Sequence, residues 1–216
     1  MSAGWFAAAL TAAAMVADWW AVARSRAEVE RWAKPAAMIG LLAVATLGGA
    51  GDTASGRWLL LALALGLVGD VLLLRDSPSR FAGGLMAFLL GHLAFVASFV
   101  LAGLDHPTWG WAGVAVVAGS LAVGRRILPG ATADGGPGLA VAVATYMLVI
   151  GAMAVTGWAT GSLLVGLGVS LFVVSDTVLA MGRFVQPHRW SHPVTMVTYH
   201  GAQVLIVWGL LGLLAS

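Results

Sequence analysis

The chain contains no cysteine, which excludes a disulfide framework, a thiolate metal site and a cysteine nucleophile. Charge is scarce too: 9% of its 216 residues are Asp, Glu, Lys or Arg, against about 25% in a water-soluble domain. There is no Gly-rich phosphate loop, no basic–aromatic patch, no low-complexity linker and no soluble domain. Disorder, a coiled coil and a nucleic-acid binder are excluded together. The seven prolines (Pro35, Pro78, Pro107, Pro129, Pro137, Pro187, Pro193) fall in expected loops or at expected helix ends, so no span is expected to be interrupted by one. Chemistry is left to Asp, His, Ser, Tyr and the single lysine, Lys34.

What is present is apolar. Hydrophobic residues make up 60% of the chain, and the mean hydropathy is +0.95. A membrane helix needs roughly 20 predominantly apolar residues. Eight runs qualify, at 3–23, 35–51, 58–74, 81–103, 109–124, 138–157, 161–181 and 194–215. The second, third and fifth are short, which leaves room for seven spans and one re-entrant segment. The expectation is an all-α polytopic bundle of eight transmembrane helices forming one domain over residues 1–216. The first run lacks a basic leader and is followed by Arg24, Arg26 and Arg31, so it reads as a retained helix and not a signal peptide.

Basic residues orient the bundle. The first, third, fifth and seventh loops hold 10 of the 11 positive charges, and only Arg57 falls in an even loop. That asymmetry places the odd loops in the cytoplasm and both termini outside, and explains the pI near 9.7 without a nucleic-acid partner. The longest hydrophilic stretch, Arg24 to Lys34, reads as a cytoplasmic loop, with Lys34 opening the second span. The abundance of Ala, Gly and Arg suggests a bacterial plasma membrane.

An ionisable residue inside a membrane is a functional hypothesis by default, because an Asp at the bilayer centre costs about 2.5–3.5 kcal/mol on insertion scales. Asp18, Asp70 and Asp176 qualify, with His92, Tyr199, His200 and Gln203. Counting about 1.5 Å per residue from Arg75 and Arg183 puts Asp70 and Asp176 at a common depth, roughly 7–11 Å inside the cytoplasmic boundary. Tyr199 and His200 reach a similar level, and His92 lies nearer the midplane. Thr195, Tyr199 and Gln203 make one polar stripe at helical spacing, and Gly84, Phe88 and His92 another. Glycines 66, 69, 83, 84 and 91 permit close helix approach beside them.

A weak repeat points the same way. Gly69-Asp70 is followed by His92 after 22 residues, and Ser175-Asp176 by His200 after 24. Four spans separate the blocks, so a 4+4 parallel repeat would bring the two acids face to face. Structural readings compete with these. Asp18 beside Trp19-Trp20 reads as an interfacial helix partner able to snorkel. Lys34 alone is a positive-inside anchor, and His200 alone a core histidine. Trp19, Trp20, Trp32, Trp58, Trp109 and Trp111 near span ends are belt residues. Two acids at one depth, with His, Tyr, Gln and Lys converging, favour function.

The ordered segments Lys34-Pro35, Gly69-Asp70 followed by Phe81-x-x-Gly84-x-x-x-Phe88-x-x-x-His92, Ser175-Asp176-x-x-Leu179-Ala180 and Thr198-Tyr199-x-x-Ala202-Gln203 resemble the YhhN/TMEM86 family of integral membrane proteins, whose characterised members are lysoplasmalogenases. His200 stands where the family commonly has a second Tyr, and Phe95 follows His92 where an aromatic hydroxyl is common. The resemblance implies hydrolysis of the vinyl ether bond of a lysoplasmalogen to a fatty aldehyde and a glycerophospho-headgroup; no cofactor and no metal are expected.

Enol ethers hydrolyse by protonation of carbon, capture of the oxocarbenium ion by water, and collapse of the hemiacetal. That sequence needs a proton donor and a negative charge near the cation, as two carboxyls provide in glycosidases. Asp70 and Asp176 suit the two roles, with their assignment open. Lys34 would meet a lipid phosphate. Tyr199, Gln203 and Ser175 would position water or glycerol hydroxyls, His92 would orient a carboxylate, and His200 would join the substrate-binding set. The partners would be a lysophospholipid substrate and the membrane lipids. Two alternatives remain: a metal-dependent membrane lipid hydrolase using Asp70, Asp176, His92 and His200, and a proton-coupled small-molecule transporter.

Overall fold

The computed structural model describes residues 2–75 and 77–215. Eight helices run in chain order: α1 Ser2–Ala23, α2 Ala27–Leu47, α3 Ala54–Leu73, α4 Pro78–Ala102, α5 Gly110–Gly124, α6 Ile127–Ala159, α7 Leu163–Phe184 and α8 Ser191–Leu214. Short 3-10 turns at Ala50–Asp52 and Pro107–Trp109 precede α3 and α5. An all-helical chain is what an apolar sequence must adopt where water does not serve the backbone, since a helix bonds its own N–H and C=O groups. Each of the eight expected runs falls on one helix. Among the described residues six helices, α1, α3, α4, α6, α7 and α8, are long and apolar enough to cross a membrane.

The other two depart from expectation for readable reasons. The helix α2 begins at Ala27, eight residues ahead of Pro35. Most of the stretch expected as a cytoplasmic loop is therefore helical, and Pro35 lies inside a helix and not at its end. Lys34 consequently sits two turns into α2 instead of opening it. Glu28, Glu30, Arg31 and Lys34 in these first turns hid the helix from a search for apolar runs. The helix α5 has 15 residues, about 22 Å at 1.5 Å each.

In α6 the helical dihedrals fail at Gly135 and at Gly136, whose φ is +75°. Pro137 follows at once and opens the second piece, so the expected start at 138 corresponds to this break. The residues ahead of it form an extra helical segment, which expectation had left as loop. Its Gly130 lies directly against the carbonyl of Phe184.

The chain divides into two compact units, residues 1–103 with 207–216, and residues 104–206. In the first, α3 and α4 pack most closely. Ser55 and Ser98 donate to each other's carbonyl oxygens at 2.8 Å. Phe88 lies over Gly69, Leu73 over Gly84, and the Ala62 carbonyl near Gly91. These are the small residues that the sequence marks for close approach. Met38, Leu41, Leu59, Leu63, Phe95 and Phe99 fill the core, and the end of α8 joins it through Trp208 against Trp5.

In the second unit, α7 is pinned to α5 and α6 along its length. Trp158 Nε1 donates to Ser170 Oγ at 3.0 Å. Ser120 and Thr177 hydroxyls meet at 2.6 Å, and Arg183 pairs with Asp134 at 2.9 Å. The first part of α8 runs antiparallel to α7, with Phe172 meeting Tyr199 and Gly168 against Ala202 and Ile206.

Glycine sets the spacing of α5 and α6. A Cβ on Gly113 would sit 2.7 Å from the Ala154 carbonyl oxygen and from the Val155 Cα, backbone that does not yield. Gly119, on the same helix, has open space around it. Gly113→Ala should therefore lower the Tm in detergent, with an overpacking cost of about 1–3 kcal/mol. Gly119→Ala should leave Tm unchanged or raise it slightly, because it removes a helix-interior glycine.

Candidate functional site

The first unit buries a charge pair. Lys34 Nζ on α2 lies 3.1 Å from Asp70 Oδ1 near the end of α3, and both side chains are at most 5% exposed. Lys34 is thus not at an open rim. Glycine at 69 brings α4 against α3 just beside Asp70, with the Phe88 ring in the space a Cβ would take. One turn further along α4, His92 is fully buried. An ammonium and a carboxylate sharing one buried position form a pair without net charge, the form in which two such groups are tolerated away from water.

Asp18 on α1 is also completely buried. The expected snorkelling does not occur, because the residue is turned into the unit instead of toward the interface.

The second unit holds the other acid. Asp176 on α7 is half-buried, and its Oδ2 accepts a hydrogen bond from the Tyr146 hydroxyl on α6. Ser175, its neighbour, is buried and points to α8, where its hydroxyl donates to the Thr195 carbonyl at 3.0 Å. On α8 the stripe Thr195, Tyr199, Gln203 is buried throughout. Tyr199 meets Phe172 edge-on at 5.4 Å and lies 5.5 Å from the His200 ring, so it is a core residue and not a belt residue. His200 is fully buried.

Two members of the stripe are short of partners. The Gln203 Oε1 and Nε2 and the Thr195 Oγ1 make no hydrogen bond among the described residues. The threonine is unusual in this: Thr46, Thr156, Thr177 and Thr198 all donate to the carbonyl four residues back, the usual bond of a helical hydroxyl. Buried amides and hydroxyls are normally bonded, so these groups have capacity to spare for a polar ligand or water.

Sequence reasoning missed Tyr146. It sits in an unbroken apolar run, and only its phenol marks it: a tyrosine within a membrane span needs something for its hydroxyl. Among the described residues no three His, Asp or Glu side chains converge as a metal centre would need. An apolar groove of about 610 Å³, lined by Val117, Leu121, Met147, Leu148, Gly151 and Val155 among others, runs along α5 and α6. Tyr146 is on another face of α6, because 100° separates successive helical residues.

The family model of the YhhN family matches residues 29–210. This chain belongs to the YhhN family. Among curated YhhN-related proteins, lysoplasmalogenase TMEM86B of Sus scrofa is 35% identical over 147 residues, which are 67% of this chain and 59% of that protein. Lysoplasmalogenase TMEM86A of Bos taurus is 28% identical over 154 residues, covering 67% and 61%. The lysoplasmalogenase of Mycobacterium tuberculosis is 31% identical over 157 residues, covering 71% and 60%. The chain thus spans about three fifths of the length of the curated relatives it matches. No solved structure matches it. The YhhN match begins just ahead of the Lys34-Pro35 segment and ends beyond Gln203, so it takes in the ion pair of the first unit, Tyr146 and the α8 stripe.

The ion pair gives a stability test. Lys34→Met strands the Asp70 charge, and breaking a buried pair from one side costs roughly 3–5 kcal/mol. The Tm in detergent should fall well below that of the double variant Lys34→Met/Asp70→Leu, which removes both charges.

Proposed function

We propose that this YhhN-family chain is a membrane-embedded lysoplasmalogenase-like hydrolase that cleaves the vinyl ether bond of a lysophospholipid. The observation that carries this reading is that two aspartates within the helices are each held by a partner on a neighbouring helix: Asp70 by Lys34 and Asp176 by Tyr146. The names of its relatives support the substrate class. The pairing with an ammonium favours Asp70 as the anionic group, and Asp176 then takes the proton transfer.

The reaction needs nothing beyond these groups and water. A proton passes from Asp176 to the β-carbon of the enol ether, and the carbon next to the ether oxygen becomes an oxocarbenium ion. Negative charge near that carbon would stabilise the cation electrostatically, a role that suits the ammonium-paired Asp70. Water adds to the cation and returns a proton to the carboxylate. The hemiacetal then collapses to the aldehyde and the free glycerophospho alcohol. Gln203 and Thr195, whose hydrogen-bonding capacity is unspent, are suited to water or glycerol hydroxyls. Ser175, Tyr199 and His200 border that set, and His92 orients the Asp70 carboxylate.

The lipid's alkyl chain would lie among apolar helices, with its headgroup toward the cytoplasmic face. In the same reading all eight helices cross a plasma membrane with both termini outside, and the two units correspond to the halves of a 4+4 repeat. Their division close to the end of α4 supports that correspondence.

Aldehyde release from a lysoplasmalogen by the purified protein, with no gradient present, is the decisive assay. Asp70→Asn and Asp176→Asn should each reduce kcat about 10²–10⁴-fold, the range of general acid–base and charge-stabilising contributions. Near wild-type turnover in either folded variant would remove the two-carboxylate mechanism. Gln203→Leu separates function from stability. Replacing an unbonded amide by an apolar side chain should keep or raise the Tm, while kcat/KM falls roughly tenfold as the hydrogen bond to water or substrate is lost.

A further inference from the structure

Resting on that reading, we infer that Tyr146 is the positioning residue of Asp176, fixing which carboxyl oxygen handles the proton. The hydroxyl of Tyr146 donates to Oδ2. That oxygen accepts the bond whether the carboxyl is protonated or not, because the carbonyl oxygen of a neutral acid keeps acceptor capacity, though the bond is stronger to the carboxylate. A proton on Asp176 is therefore directed to Oδ1. Oδ1 gives the proton up to the enol ether carbon and recovers one when water adds. The tyrosine itself keeps its proton throughout.

The surroundings make this a role in chemistry and not in assembly. The helix α7 is tied to its neighbours by three other contacts: Trp158 to Ser170, Ser120 to Thr177, and Arg183 to Asp134. The Ser120–Thr177 bond lies one residue along α7 from Asp176. It holds the backbone of that turn in register with α5, and Thr177 is further anchored on the Val173 carbonyl at 2.7 Å. With the backbone held this way, the bond from Tyr146 acts on the orientation of the carboxyl group and not on that of the helix. A carboxyl free to turn about its χ2 would present either oxygen, and the terminal torsion of aspartate is broad and roughly two-fold.

The inference is tested on the 216-residue chain in detergent. Tyr146→Phe keeps the ring and removes the donor. Its Tm should stay close to wild type and KM should be unchanged, while kcat falls about 10–100-fold, the worth of a hydrogen bond to a charged group. The limb of the pH profile that Asp176→Asn abolishes should move in Tyr146→Phe. The effects of the two substitutions should be strongly non-additive in a double-mutant cycle.

Ser120→Ala, which removes a helix tie and not the donor, should lower Tm and leave kcat in place. Independently of turnover, the infrared carboxyl band that Asp176→Asn eliminates should shift in Tyr146→Phe. An unshifted band overturns the inference whatever the enzyme's substrate. A shifted band in a protein that cleaves no lysoplasmalogen upholds the Tyr146–Asp176 coupling and overturns the functional reading alone. Unchanged kcat and pH profile in Tyr146→Phe, in a protein that does cleave it, overturn the inference alone.

Discussion

The interior of a bilayer offers no water, so each polar group placed there must find its partner within the protein. The Lys34–Asp70 pair shows what this requires. It draws on two helices, needs α2 to start well before its apolar run, and sits beside a glycine contact that lets α4 approach α3. The same demand recurs throughout the chain. Ser55 and Ser98 exchange hydrogen bonds, Trp158 finds Ser170, and Tyr146 finds Asp176. In an environment where apolar burial alone does not drive helices together, these polar ties and the small residues around them specify which helix faces meet.

Against that background the exceptions gain weight. Gln203 is completely buried and Thr195 nearly so, yet their side chains have hydrogen-bonding groups in excess of what the described residues provide. The helical hydroxyls of Ser55, Ser98, Thr46, Thr156, Thr177 and Thr198 are, by contrast, all bonded to backbone carbonyls. Groups that carry an unfilled requirement belong to the part of a protein that is completed by something else. Burial of this kind would be a defect in a scaffold and is an asset in a site that receives a polar reactant.

Much of this was legible in the sequence. Hydropathy located all eight helices, because apolar runs of that length have few other uses. The spacing of glycines around Asp70 and His92 anticipated the tight α3–α4 contact. The acids and the α8 stripe were visible because charge and amide groups are conspicuous against an apolar background. What escaped was the reverse case. Lys34 reads from the sequence as opening the second span, because charges in the first turns of α2 obscure its helical start. Tyr146 was overlooked because a phenol is mostly apolar and its single hydroxyl makes no mark on hydropathy. The break at Gly135–Gly136 shows in the sequence only as the start of an apolar run, since the helical segment before it is short.

Lys34 is the only lysine in the chain, and it is enclosed. This chain, when folded, therefore exposes no side-chain amine to acylating reagents or to modifying enzymes, and a protease that needs lysine finds the one target in it enclosed against α3. Amine labelling at this position consequently reports separation of those helices, giving the protein an intrinsic gauge of its own opening.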